Sequence, residues 1–227
     1  MGEGKLISIH DVLNQINDGC TLMFGGFGGI GTPPSIIEGI MNKGVKNLTI
    51  IGNDTGFPTI GIGPLVANHQ VKKIITSHIG SNPIAGQLMT NAEIEIEFSP
   101  QGTLAERIRA GGVGLHGIIT DVGINTVVEE GKQIIEVNGK RLLIETALIA
   151  DVSIVFAHKA DPYGNLVFDK SARNTNPLVA MAGNVTFAES LEIVPLGALS
   201  PEEIVTPGCF INGVIESEGV HWKWVWE

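Results

Sequence analysis

The chain has 227 residues, 43% apolar and 17% charged, enough material for a buried core, which excludes a disordered or fibrous protein. Its 24 Asp and Glu against 14 Lys and Arg give a formal net charge of −10, a field that repels polyanions and argues against a nucleic-acid partner. Gly, Pro or a charge breaks each apolar run short of the roughly 18 residues a membrane span needs. The first residues lack the apolar stretch of a secretory signal, and Leu6 stands where an N-myristoylation motif requires Ser or Thr. Cys20 and Cys209 lie far apart and outside any C-x-x-C pattern, so a cytoplasmic protein with reduced thiols is expected.

Along the chain, Ser8 and Asp11 form a capping pair for a short amphipathic helix over 9–18, with Val12, Leu13 and Ile16 on one face and Gly19 at its end. Thr21-Leu22-Met23-Phe24 then reads as a buried strand running into the cluster Gly25-Gly26-Phe27-Gly28-Gly29-Ile30-Gly31. Pro33 and Pro34 open a helix that runs to about Asn42 and closes at Gly44, and a second apolar strand follows over 48–52. Further elements are a helix near 62–68, a strand over 73–76 and a strand over 93–98. In this last strand Glu93, Glu95 and Glu97 alternate with Ile94, Ile96 and Phe98, which places the acids on a solvated face. Residues 103–109 form a helix with Glu106 and Arg109 spaced to pair, and Asn138-Gly139 turns a hairpin between the strands around Ile135 and Leu143. Strands over 152–157 and 185–189 flank a helix over 176–182. Apolar runs without alternation, interleaved with helices, define an α/β protein. The expected sheet is mostly parallel and twisted, covered by helices on both faces, with the hairpin added, in one domain over 1–227. No internal repeat stands out. Trp222, Trp224 and Trp226 occur at period two and are compatible with a strand, a cover for a partner, or a loose tail.

The segment Gly26-Phe27-Gly28-Gly29-Ile30-Gly31 satisfies G-x-G-x-x-G after a strand, with Asp54 beyond the next strand, as in a dinucleotide-binding fingerprint. An NAD-dependent oxidoreductase is therefore one reading. The prolines oppose it, because in that fingerprint the helix starts within the glycines. Pro33 and Pro34 would then lie past its first turn, at a cost of ~3 kcal/mol each. With Thr32 as N-cap the prolines fall where no donor is needed, and the glycines become a bare loop offering unpaired N–H groups to an anion.

The run from Asp18 to Pro33 resembles the signature of class I coenzyme A transferases: D-G, two residues, three apolar residues, G-G-F, three residues, G, one residue, P. Two more blocks are similar to family segments. One is Ser99-Pro100-Gln101-Gly102-Thr103-Leu104-Ala105-Glu106-Arg107-Ile108-Arg109. The other is Ala157-His158-Lys159-Ala160-Asp161 followed by Ala172-Arg173-Asn174-Thr175-Asn176, with Thr175 where the family usually has Phe. The resemblance implies an α (A) subunit of the acetate, butyrate or acetoacetate type. The nucleophilic glutamate of the family, in an S-E-N-G stretch, would then come from a β subunit, in an α2β2 assembly. Ser217-Glu218-Gly219 is the nearest imitation of that stretch and reads as a surface turn. Departures near His116 and over 119–122 leave the acyl specificity open.

The resemblance further implies that the Gln101 side-chain amide meets the oxyanion formed at a thioester carbonyl; otherwise it merely caps the helix near Thr103. It also implies that Gly25, Gly26, Phe27, Gly28, Gly29, Ile30 and Gly31 receive coenzyme A, a substrate rather than a resident cofactor. Arg107 and Arg109 are candidates for CoA phosphates or for ion pairs, and Asn53 and Asp54 end a strand where ligands of α/β proteins gather. His10, His69, His78, His116, His158 and His221 show no metal-ligand spacing, so no metal is expected.

Overall fold

A computed structural model describes residues 4–224. In chain order the elements are α1 (Ile9–Asn14), β1 (Thr21–Phe24), α2 (Pro34–Lys43), β2 (Leu48–Ile51), α3 (Gly63–Ala67), β3 (Val71–Thr76), α4 (Pro83–Thr90), β4 (Glu95–Phe98) and α5 (Gln101–Gly112). They continue with β5 (Gly117–Thr120), β6 (Ile134–Val137), β7 (Lys140–Thr146), β8 (Ala150–Ala160), β9 (Leu166–Val167), α6 (Asn176–Met181), β10 (Gly183–Ile193) and β11 (Gly213–Glu216). The large sheet has the order β11-β10-β8-β1-β2-β3-β4, all parallel, with β9 antiparallel on β8. A separate antiparallel sheet, β5-β7-β6, carries the hairpin turned at Asn138 and Gly139, both at positive φ.

Alternation along the parallel strands sends side chains to opposite faces. Leu22 and Phe24 of β1 join Ile50, Ile74 and the inner sides of α1 to α4, whereas Met23, Ile51 and Ile75 join Leu104 and Ile108 of α5 and Val179 of α6. Both faces are thus covered, as the unalternating apolar runs require. The chain order reverses at β1: one branch runs outward through β2, β3 and β4, the other through β8, β10 and β11. The crevice beyond the carboxyl ends of strands at such a reversal is where α/β sheets gather ligands.

Several local expectations need correction. The capping box of Ser8 and Asp11 is present, but α1 ends at Asn14. Thr32 is not the N-cap of α2. Pro33 holds that position without a side-chain cap, and the first N–H groups of the helix go to a distant carboxylate described below. Helix α4 and strands β5, β9 and β11 are elements the sequence pattern does not announce. Asn82 before Pro83 was the available signal for α4, because Asn82 accepts from the N–H groups of Ile84 and Ala85. The acidic strand is also less solvated than its alternation suggests: Lys73 lies between Glu95 (2.8 Å) and Glu97 (3.3 Å), and Glu97 also meets a buried arginine.

An internal repeat does exist. Gly26-Phe27-Gly28-Gly29-Ile30-Gly31 follows β1, and Gly56-Phe57-Pro58-Thr59-Ile60-Gly61 follows the neighbouring β2, each a G-F-x-x-I-G turn ahead of a proline-started helix. Each turn is closed by a reciprocal pair of backbone hydrogen bonds, Phe27 with Ile30 (2.9 Å both ways) and Phe57 with Ile60 (3.2 and 3.1 Å). The two turns lie side by side. Gly29 has φ +95°, and a Cβ there would lie 2.5 Å from Cγ2 of Ile60 and 3.2 Å from the Trp224 ring. The C-terminal segment thus folds back onto the loops, with Trp222 edge-on to Trp224 at 6.0 Å between ring centroids. Trp226 lies outside the described residues.

Candidate active site

Three loops at the carboxyl ends of the strands meet a fourth segment around a cavity of about 210 Å³. The loop after β1 contributes Gly26, Phe27 and Ile30, the end of β2 contributes Asn53, the turn after β4 contributes Gln101, and the segment before α6 contributes Ser171, Asn174 and Thr175. Of the residues predicted for the site, the cavity brings together Gly26, Phe27, Ile30, Asn53 and Gln101. Gly25, Gly28, Gly29 and Gly31 do not line it, and packing within the protein accounts for three of them. A Cβ on Gly25 would strike the Asn176 amide, one on Gly31 the Ala172 carbonyl, and one on Gly29 the side chain of Ile60.

Most of the loop's N–H donors are spent within the protein. The N–H of Gly25 goes to the Ile154 carbonyl (3.1 Å), that of Gly26 to Oδ1 of Asn174 (3.0 Å) and that of Gly28 to Oδ2 of Asp54 (2.8 Å), while Phe27 and Ile30 bond each other. Asn176 anchors the far end by donating to the Gly31 carbonyl at 2.8 Å. What the loop presents outward is side chain and shape: Phe27 is 59% exposed and Ile30 37%.

The same bonds overturn the NAD reading. Asp54 is 3% exposed, and both oxygens are engaged, Oδ2 by Gly28 and Oδ1 by the N–H of Gly56 (2.7 Å), so it offers nothing to a ribose. The N-terminus of α2, where a pyrophosphate would sit, is filled by a protein carboxylate. Glu189 of β10 accepts from the N–H groups of Ser35 (3.1 Å) and Ile36 (3.0 Å) and from the Ser35 hydroxyl (2.7 Å). The Ser217 hydroxyl donates to the same carboxylate and also accepts the N–H of Gly219 at 3.1 Å, while Glu218 between them is exposed.

Gln101 is the first residue of α5 and exposed. Pro100 is the N-cap, so Gln101 does not cap the helix, and among the described residues its amide has no hydrogen-bond partner. Asn53, by contrast, is buried and bonded to Asp54 (3.3 Å) and Ser77. Arg107 is 3% exposed, donating to the Thr146 carbonyl (2.8 Å) and to Glu97 (3.0 Å), with Glu145 at 3.8 Å. Arg109 pairs with Glu106 at 2.8 Å. Arg107 is therefore spent within the protein, whereas Arg109 stays in a half-exposed surface pair. Burial pushes the Glu97 carboxyl up, but the bond and charge of Arg107, with Lys73, hold it below the usual glutamate range. Burial, reinforced by the Asp151 charge, pushes the Cys20 thiol up to about 11, which removes it as a nucleophile at neutral pH.

A larger open groove of about 790 Å³ lies between α2, residues 58–68 and the C-terminal segment. It borders Glu218 and Trp222 but neither Gln101 nor Asn53. No group of three His, Cys, Asp or Glu among the described residues is arranged to hold a metal ion, and none of the helices there is long and apolar enough to cross a membrane.

The chain belongs to the coenzyme A transferase family, whose pattern matches residues 6–217. The chain is 61% identical, over 98% of each partner, to a probable coenzyme A transferase subunit alpha of Bacillus subtilis (strain 168). It is 48% identical to the acetate CoA-transferase subunit alpha of Escherichia coli (strain K12), over 94% of this chain and 97% of that one. Its fold superposes with a TM-score of 0.87 and 25% identity on an acyl-CoA transferase from Escherichia coli O157:H7 in a thioester complex with CoA. That match covers 95% of this chain and 47% of the other, so this chain spans about half of that longer polypeptide.

Proposed function

We propose that this chain is the α subunit of a cytoplasmic CoA-transferase that moves CoA between a short-chain acyl-CoA and acetate, butyrate or acetoacetate, as a single domain working with a β subunit in an α2β2 heterotetramer. One observation carries the reading. The cavity has a free carboxamide, Gln101, beside a shaped loop, but no carboxylate, thiol or imidazole in its lining. It is equipped to stabilise a charge and lacks the group that would create it, which a partner glutamate would supply. Exposed Phe27 and Ile30 at its edge are the apolar surface such a partner would cover.

In this mechanism the partner's glutamate attacks the thioester carbonyl, and the Gln101 amide donates to the oxygen as it becomes negative. Collapse gives an acyl–glutamyl anhydride and CoA thiolate. The thiolate attacks the glutamyl carbonyl, forming a glutamyl–CoA thioester and releasing the first carboxylate, and the second carboxylate reverses both steps. Thioester energy passes between similar bonds, so the exchange requires no metal or redox cofactor. Coenzyme A is a substrate received at the 25–31 loop, through close approach at Gly26 and contact with Phe27 and Ile30. Assay of the purified chain, alone and with a β-type partner, for acetyl-CoA/acetoacetate exchange tests the reading. Activity is expected only from the complex, and full activity from this chain alone would refute it.

A further inference from the structure

We infer that Asn174 is a positioning residue: a single side-chain amide that sets the shape of the 26–31 turn opposite Gln101. The inference rests on the transferase reading above. Asn174 has φ +23° and ψ −117°, outside the regions a side-chain-bearing residue favours. The residue is exposed, so core packing does not enforce this backbone. Its hydrogen bonds do. Oδ1 accepts the N–H of Gly26 at 3.0 Å and that of Thr175 at 2.6 Å, and Nδ2 donates to the carbonyls of Ile30 at 3.0 Å and Ser171 at 3.1 Å.

Gly26 immediately precedes the closed Phe27–Ile30 turn and Ile30 ends it, so one amide spans its neck, accepting from one side and donating to the other. The chemistry of the residue follows from that span. An aspartate would place a second acceptor against the Ile30 carbonyl. A glycine would relax the backbone but hold neither end. Asn174 lines the cavity with Gln101, so a turn released at its neck would move Gly26, Phe27 and Ile30 relative to the Gln101 amide.

The test compares wild type, Asn174→Gly and Asn174→Asp, each in complex with the β-type partner, reading exchange kinetics, melting midpoint and deuterium uptake of the peptide over 24–31. For Asn174→Gly the midpoint should hold, because the strained backbone is relieved, while uptake over 24–31 rises. kcat should fall about 10- to 100-fold with KM for acyl-CoA within about threefold. In the double variant with Gln101→Ala the two losses should be far from additive, since Asn174 acts through the geometry that Gln101 needs. A kcat within about twofold of wild type, additive losses, or a loss that only follows the folded fraction would overturn the inference. Should Asn174→Gly fail to assemble, Asn174→Asp decides by the same criteria. A wild-type complex without exchange would refute the transferase reading instead, and uptake over 24–31 would then decide the clamp by itself.

Discussion

Asp54, at the end of the second parallel strand, accepts the N–H of Gly28 in the loop after the first strand at 2.8 Å, and its other oxygen accepts the N–H of Gly56 at 2.7 Å. One buried carboxylate therefore holds two tandem turns together. Its replacement by Asn turns one acceptor into a donor facing a glycine N–H. Asp54→Asn is expected to destabilise the chain by about 1–3 kcal/mol, a fall of roughly 2–4 °C in melting midpoint per kcal/mol for a chain of this size. An unchanged midpoint would show that the carboxylate does not join the turns.

Arg107 provides a separate test of where CoA phosphates do not bind. It is the main partner of Glu97 and adjoins Glu145, which is buried and also held by Lys132 at 2.6 Å. Arg107→Ala leaves buried acid underpaired and is expected to cost about 3 kcal/mol in unfolding free energy, with activity lost in proportion to the folded fraction. A fully folded variant with a raised KM for acyl-CoA would instead place Arg107 on the substrate.

Glu189 makes a prediction with a definite sign. Burial holds its carboxyl above the usual glutamate range, although bonds from Ser217, Ser35 and the Ile36 backbone pull the other way. The native state therefore keeps this proton to higher pH than the unfolded chain does. The contribution to stability is fully present below the unfolded value of about 4.3 and is lost as pH rises through the raised native value. Measured by urea unfolding, the stability of wild type relative to Glu189→Gln is expected to decline over that window. A flat or rising difference would contradict the shift.

Gln101→Ala is expected to lower kcat for exchange about 100- to 1000-fold, the loss typical of an oxyanion donor, with the melting midpoint unchanged because the side chain bonds nothing in the fold. Unaltered kcat would remove the residue from the mechanism.

The parallel sheet and its two covered faces were legible because they depend on local patterns: unalternating apolar runs, proline at helix starts, Asn138-Gly139 at the hairpin. Gln101 and the glycine loop as a coenzyme A site came from resemblance rather than from periodicity, and of that loop only Gly26, Phe27 and Ile30 share a cavity with Gln101. What the sequence concealed were partnerships across long separations. Glu189 caps a helix that begins at residue 34, Asn174 reaches Gly26, and Asp54 reaches both turns; none of these pairs leaves a spacing to read. The repeat of G-F-x-x-I-G was present in the sequence but hidden by the different residues at its centre, Gly28-Gly29 against Pro58-Thr59.

The most direct measurement is to trap the covalent intermediate by borohydride reduction of the complex incubated with acyl-CoA, and to locate the modified residue by peptide mass spectrometry. The account predicts a modified glutamate on the β-type partner and an unmodified α chain. Modification of a glutamate on this chain, Glu218 above all, would contradict it.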